Sequence, residues 1–196
     1  MTATSWDVLN QAHSALRTIV AGVADADADW KLPTPCEHWN VAQVLRHACG
    51  DQLAYTAAIT GSGGPSENPF EPAEDPPADP QALLATALDS STRTFATVNP
   101  GAQAIPSPLP LGPLPAETVV GAAALDAAVH AWDIAVATGR PSPLSADLAT
   151  RLMPVATAIA EPIRGFAYAP ALAPQPGDDA TAELLRHLGR RPDWAR

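Results

Sequence analysis

Apolar residues recur every three or four positions along most of this 196-residue chain, which is the spacing of amphipathic helices. A first stretch from Leu9 to Val20 ends where the acidic segment 24–29 breaks the pattern. The spacing predicts helices that run to about residue 24 and over 40–60, 81–98, 115–138, 145–163 and 181–188. No stretch alternates clearly between apolar and polar residues, so no strand is predicted. Four long helices and two long connections favour an all-α bundle of the crossover type.

Several residues mark where these helices begin and end. Asn40 is predicted to cap the second helix, with Gln43 three residues later as its reciprocal partner. Gly139 is predicted to end the fourth helix. Pro154 and Pro162 should kink or shorten the fifth helix, because proline removes a backbone donor.

The connections are rich in proline. Residues 30–39 hold two tryptophans and two prolines and predict an ordered loop pinned to the core by its indoles. Residues 61–80 predict a surface loop, and residues 99–115 an extended crossover. We expect a bundle over 1–140 and a helical extension over 141–196 that packs on the same domain.

Composition and charge narrow the function classes. A net charge of −10 opposes binding to nucleic acid, which requires Lys and Arg to neutralise phosphates. The chain shows neither a signal peptide nor an uncharged apolar run at lipid-spanning composition, so we expect a cytoplasmic protein without a membrane partner. Its two cysteines, Cys36 and Cys49, lack CxxC spacing and are expected to be reduced thiols.

The candidate chemistry lies in the second and fourth helices. Asp126 and His130 are four residues apart in an alanine-rich run, so a helix places one above the other. His47 lies in the apolar stretch of the second helix, and the three side chains meet if the two helices pack face to face. A carboxylate and two imidazoles then form a site for a divalent metal. Burying this carboxylate beside an imidazole without a cation or another partner would carry a large desolvation cost.

Other polar residues are interpreted more simply. Asp51, four residues after His47, is either a hydrogen-bond acceptor for that imidazole or an outward ion-pair partner of a basic neighbour. Trp132 and Asp133 are predicted to be a packing residue and a helix-surface residue, and Cys49 to be buried apolar filler. The remaining histidines are interpreted as structural or exposed: His13, His38 and His187.

Three segments carry a resemblance to a known family: TPCEHWNV at 34–41, LRH at 45–47, and DAAVHAWDIA at 126–135 with ATGRP at 137–141. They resemble the actinobacterial metal-binding proteins related to mycothiol-dependent maleylpyruvate isomerase, which are DinB-like four-helix bundles. The similarity spans about residues 5–188. It implies a DinB-like four-helix bundle with long crossover connections and one or two short C-terminal helices.

The resemblance also implies a ligand set and a reaction. It assigns His47, Asp126 and His130 as metal ligands, with aspartate where the isomerase carries glutamate. The implied metal is Zn²⁺, with Ni²⁺ as the alternative, and three protein ligands leave a position open for chemistry. Mycothiol would be activated there for attack on a small electrophile, which predicts a transferase or isomerase.

The sequence leaves alternatives to this reaction. A metal-binding or stress-related bundle without turnover is one, and a hydrolase that uses metal-bound water is a weaker one. Residues 140–196 show no obvious arginine clamp for a dicarboxylate such as maleylpyruvate. No motif identifies residues that hold the thiol, and a homodimer is the oligomer we would expect if the protein associates.

Overall fold

The structure is a computed structural model that describes residues 5–23 and 27–196. Its described residues form helices and connecting loops, with three isolated bridges and no strand. The helices are α1 (Ser5–Gly22), α2 (Asp27–Trp30), α3 (Val41–Thr60), α4 (Pro80–Phe95), α5 (Ala116–Ala137), α6 (Ala146–Ala160), a 3₁₀-helix (Glu161–Ile163) and α7 (Ala180–His187). The predicted all-α fold is confirmed.

Four of these helices form the bundle. Helix α5 packs against α1 and α3, and α4 packs against the other sides of α3 and α1. Almost every residue of α5 is buried, including the polar Asp133, because the helix is apolar on all sides and lies at the centre. Its alanines keep the side chains short where neighbouring helices approach. At Gly121, even an added Cβ would lie 3.3 Å from Val155 of α6.

Helix α5 is the one helix of the described chain that is long and apolar enough to cross a membrane by length and composition alone. In the structure, 89% of its most apolar 18-residue window is buried inside the protein. A central core helix needs the same composition as a lipid-facing helix, so packing accounts for this apolar run.

The helix ends follow the predicted signals closely. Asn40 and Gln43 form a reciprocal capping box at the start of α3. Helix α6 continues through Pro154 and changes to the 3₁₀-helix only at Glu161, so Pro154 does not end it. Ala24, the predicted end of the first helix, lies outside the described residues, and α1 ends at Gly22.

One short element was not predicted. Residues Asp27–Trp30 form α2 within the segment that was expected to be irregular, and Trp30 is buried against the core. The ordered loop therefore begins one residue later than predicted. It ends with an antiparallel bridge between Pro33 and Asn40, which holds the loop in place at the start of α3.

The chain beyond residue 140 packs on the bundle. Helix α6 contacts α5 and α1, and α7 packs on α6. After α7 the chain turns at Gly189, whose φ is +79° and where an added Cβ would lie 2.8 Å from Ala169. Only glycine combines this backbone conformation with so close an approach. The turn directs the next residue, Arg190, towards α5.

Candidate metal centre

Three side chains from two packed helices converge at the centre of the bundle. Helix α3 supplies His47, and α5 supplies Asp126 and His130. Asp126 Oδ1 lies 3.3 Å from His130 Nε2 and 3.7 Å from His47 Nε2. The ligand atoms of all three residues lie within 4.8 Å of one another. The predicted convergence of the three side chains is therefore present.

The other nitrogen of each imidazole is already engaged. His47 Nδ1 lies 2.8 Å from the carbonyl oxygen of Pro69, and because a carbonyl can only accept, this nitrogen donates. His130 Nδ1 lies 2.9 Å from Asp133 Oδ2. Both Nε2 atoms therefore face Asp126 in a fixed orientation. Metal-binding histidines are held in this way, with the second nitrogen donating to a carbonyl or carboxylate.

The carboxylate of Asp126 fits a cation. Its Oδ2 is buried and has no hydrogen-bond partner among the described residues, and an unpaired buried carboxylate oxygen is costly. Asp51 adds a second carboxylate, with Oδ2 3.7 Å from His47 Nε2. Burial, and then the charge of Asp126, raise the pKa of Asp51 well above its usual value. A divalent cation would relieve the crowding of these two carboxylates.

The position of Asp51 overturns both interpretations made from the sequence. The acceptor that orients His47 is the Pro69 carbonyl, because Asp51 faces the opposite ring nitrogen. The basic neighbours are paired elsewhere, Arg46 with Glu67 and Lys31 with Asp75. Asp51 therefore places a second carboxyl group beside His47 rather than an outward ion pair.

The two imidazoles have opposite charge preferences. Burial, reinforced by the nearby positive charge of His130, lowers the pKa of His47 to about 4. Burial also opposes protonation of His130, but the charge of Asp126 and hydrogen bonds to Asp126 and Asp133 outweigh it and raise the pKa of His130 well above its usual value. In the metal-free protein at neutral pH, His47 is thus neutral and His130 carries a proton between two carboxylates.

Asp133 was predicted to lie on the helix surface, and this is wrong. Its side chain is completely buried and accepts hydrogen bonds from Arg190 Nη2 at 2.8 Å and Arg190 Nε at 3.0 Å. The thiol of Cys36 donates to the same carboxylate at 3.1 Å. Burial opposes ionisation, but Arg190 and His130 hold the pKa of Asp133 well below its usual range. Asp133 is therefore an ionised acceptor that fixes His130.

A second group of metal-ligand types, Cys36, His130 and Asp133, also lies within 4.8 Å. Here the guanidinium of Arg190 already supplies the positive charge, with Nη2 3.3 Å from Cys36 Sγ and 2.8 Å from Asp133 Oδ2. This group is a satisfied hydrogen-bond network behind His130. The i, i+3 spacing of His130 and Asp133 was a usable sequence signal, whereas nothing in the sequence pointed to Arg190.

The remaining histidines and Cys49 lie away from the three converging groups. His13 is buried and hydrogen-bonds Gln52 and Thr92, and His38 is exposed in the loop before α3. His187 lies partly buried at the end of α7. Cys49 is buried, as predicted, and burial raises its pKa to about 12. Both cysteines are free thiols, as expected.

Aromatic side chains line one side of the site. The rings of Trp39 and Phe70 lie 4.7 and 5.5 Å from the ring of His47. Phe166, from the turn that follows the 3₁₀-helix, packs on Phe70 with a ring separation of 4.9 Å. This aromatic rim leads from the buried imidazole to solvent.

Comparison with known proteins identifies the family of the chain. Residues 9–135 match the family model described as the mycothiol maleylpyruvate isomerase N-terminal domain. Two relatives in Mycobacterium tuberculosis are Uncharacterized protein MT0763 of strain CDC 1551 / Oshkosh and Uncharacterized protein Rv0738 of strain ATCC 25618 / H37Rv. Each is 33% identical over 135 residues, which cover 66% of this chain and 66% of the relative. The alignment thus spans just under two thirds of their length.

The comparison with solved structures gave no significant match. The family match contains His47, Asp126, His130 and Asp133, and it stops before the segment that supplies Arg190. The helical bundle described above agrees with the fold that the resemblance implied. The chain belongs to the family of mycothiol maleylpyruvate isomerase N-terminal domains.

Proposed function

We propose that His47, Asp126 and His130 together bind one divalent metal ion, and that the protein is a thiol-dependent transferase or isomerase acting on a small electrophile. One observation carries the metal assignment. Two imidazole Nε2 atoms, each fixed through its Nδ1, converge on a buried carboxylate that has an oxygen without a hydrogen-bond partner among the described residues.

The donor set favours particular metals. Two imidazole nitrogens and one carboxylate oxygen suit Zn²⁺, and Ni²⁺ is the alternative that accepts the same ligands. Three protein ligands also leave a coordination position open, which is typical of catalytic rather than structural zinc sites. The ion would lie between α3 and α5, so its binding would also hold the two helices together.

The reacting sulfur is expected to come from outside the protein. Cys49 is buried, and its pKa of about 12 keeps it protonated at neutral pH. Cys36 hydrogen-bonds Asp133 and faces His130 Nδ1, which is the ring nitrogen turned away from Asp126. A low-molecular-weight thiol therefore fits the site better than either cysteine. The family to which the chain belongs suggests mycothiol as this thiol.

A divalent cation in this site would lower the pKa of an incoming thiol and stabilise its thiolate. The protein's own residues prepare the site for this charge. Pro69 and Asp133 orient the two imidazoles, and Trp39 and Phe70 exclude water from one side of His47. In a transfer, a sulfur–carbon bond forms, the thiol proton passes to solvent, and the leaving group departs with its bonding electron pair. In an isomerisation, the thiol adds and is later expelled unchanged.

Metal analysis of matched variants tests the ligand assignment. We expect stoichiometric metal in the wild type and in His38→Ala, which changes an exposed histidine of the nearby loop. His47→Ala, Asp126→Ala and His130→Ala should each lose the ion. Full metal content in a His47→Ala/His130→Ala double variant would show that the ion binds elsewhere.

Spectroscopy of the cobalt-substituted protein tests the thiol. Mycothiol should produce a thiolate-to-metal charge-transfer band that weakens as pH falls, because the thiol must lose its proton to bind. Turnover of a panel of electrophiles should then depend on the thiol. If a fully metallated protein shows neither the band nor thiol-dependent turnover, the protein is a metal-binding module without this catalytic activity.

A further inference from the structure

The aromatic rim points to the kind of electrophile that the protein takes. We propose that Phe70 and Phe166 bind the apolar part of the electrophile, which is therefore a neutral molecule with an aromatic or similarly flat group rather than a dicarboxylate. The inference rests on the proposed function for the chemistry at the metal, and on the rim itself for the binding surface.

Phe70 and Phe166 are exceptional in their exposure. They are the two large apolar side chains of the described chain that are exposed, by 43% and 63%, while the third phenylalanine, Phe95, is 1% exposed. They contact each other with their rings 4.9 Å apart and tilted by 43°. Two loops far apart in sequence thus bring their aromatic side chains to one place on the surface. Paired exposed aromatic side chains beside a pocket of convergent polar groups form a candidate binding surface.

The pair also lies beside the candidate centre. Phe70 directly follows Pro69, whose carbonyl accepts the hydrogen bond from His47, and its ring meets that of His47 edge-on at 5.5 Å. Phe166 extends the surface away from the imidazole. A flat molecule lying on the two rings would have one end at His47, where the proposed reaction takes place.

The charges around the pair disfavour an anionic occupant. Arg46, which precedes His47, pairs with Glu67, and Arg164, two residues before Phe166, pairs with Glu161. Arg190 is committed to the buried Asp133. None of these three guanidinium groups is therefore free to hold a carboxylate. Because the chain as a whole carries −10, a neutral apolar molecule complements this surface better than a dicarboxylate does.

Fluorine NMR offers a direct test, because the chain contains three phenylalanines. The metal-loaded 196-residue chain labelled with 4-fluorophenylalanine should give three signals, which Phe70→Leu and Phe166→Leu variants would assign. Titration with 1,3-dinitrobenzene, a neutral aromatic molecule without a leaving group, should shift the Phe70 and Phe166 signals saturably. The buried Phe95 serves as an internal control and should not respond. Fumarate at the same concentration should shift none of the three.

A truncation of the rim should weaken this binding without removing the metal. In Phe166→Ala we expect the dissociation constant of 1,3-dinitrobenzene to rise about tenfold, the loss typical of one aromatic contact. Metal content and the mycothiol charge-transfer band should match those of the wild type, because the Phe166 ring packs on Phe70 and not on His47.

Three results would overturn the inference: no response of Phe70 and Phe166 to dinitrobenzene, a response to fumarate instead, or signals that move on protein dilution without any probe. The last result would show that a second copy of the chain covers the pair. Because this readout needs neither thiol nor turnover, it separates the two proposals. A failed mycothiol titration with intact probe binding would reject the reaction but keep the binding surface.

Discussion

Removing the guanidinium of Arg190 should destabilise this protein far more than removing that of its neighbour Arg191. Arg190 donates two hydrogen bonds of 2.8 and 3.0 Å to Asp133, whose side chain is 0% exposed. Arg191 forms a 3.5 Å ion pair with Asp193, and both of those side chains are more than 60% exposed, at 65% and 74%. Adjacent residues thus provide a buried pair and a matched surface pair.

The difference follows from what each substitution leaves behind. Arg190→Leu leaves the ionised Asp133 buried with only the His130 imidazole and the Cys36 thiol as partners. Breaking a buried ion pair in this way costs about 3–5 kcal/mol. Arg191→Leu removes a solvated pair, which is worth about 0–1 kcal/mol. The double variant Asp133→Asn/Arg190→Leu should regain part of the loss, because the buried negative charge that Arg190 balances is then removed as well.

Urea unfolding of the metal-free protein at pH 7 measures these differences as changes in the unfolding free energy. Similar losses of less than about 1 kcal/mol for Arg190→Leu and Arg191→Leu would refute the argument. A second readout is metal affinity. Loss of the group that orients Asp133 should weaken metal binding about 10–100-fold, as for other partners behind a metal ligand.

Three further predictions concern protons and packing. Zinc added to the metal-free protein at pH 7 should release at least one proton, because the raised pKa of His130 keeps this ligand protonated until the metal binds. Calorimetry in buffers of different ionisation enthalpy measures the release, and no release would contradict this charge state. Burial lowers the pKa of His13 to about 4, so between pH 6.5 and 4 the unfolded chain takes up a proton before the folded protein does. This difference should lower the unfolding free energy by on the order of 3 kcal/mol as the pH falls through that range, and His47, with a similarly lowered pKa, should add its own share in the metal-free protein. His13→Gln should remove only the His13 share of the slope, and an unchanged slope would exclude that contribution. Gly50→Ala places a Cβ 2.9 Å from Pro69 Cγ and should shift the Pro69 carbonyl that orients His47, so metal affinity should fall about tenfold or more. In the control variant Gly64→Ala, the added Cβ lies 3.4 Å from its nearest neighbour, and this variant should bind metal as the wild type does.

The sequence predicted the bundle because the signals that build it are local. Apolar recurrence at helical spacing placed the long helices, and the Asn40 and Gln43 capping pair fixed the start of α3. The convergence of His47 with Asp126 and His130 needed one step more, the packing of α3 on α5. That step followed from two apolar faces that each carry unexpected polar groups.

The rest of the site depends on contacts that no local pattern encodes. Aspartate is seldom buried without a charged partner, and the sequence near Asp133 shows no such partner. Asp133 was therefore predicted to lie on the surface. Its partner Arg190 is 57 residues away and reaches it only because Gly189 allows the chain to pass against Ala169. Phe70 and Phe166 likewise come from two irregular segments whose meeting is set by the folded chain.

These distant contacts change how the C-terminal segment is understood. Sequence patterns suggested a helical extension beside a complete bundle, and the candidate ligands do all lie within the family match over residues 9–135. Yet two other parts of the site come from beyond residue 140. Arg190 is the cation that balances the buried Asp133, and Phe166 is the outer ring of the aromatic rim. The bundle alone would bring the three ligand groups together but leave the buried Asp133 without its guanidinium partner, with only His130 and Cys36 as partners. The segment therefore supplies parts of the site as well as covering α5. Substitutions in this segment are therefore expected to alter the orientation of His130 and the aromatic rim while His47, Asp126 and His130 stay unchanged.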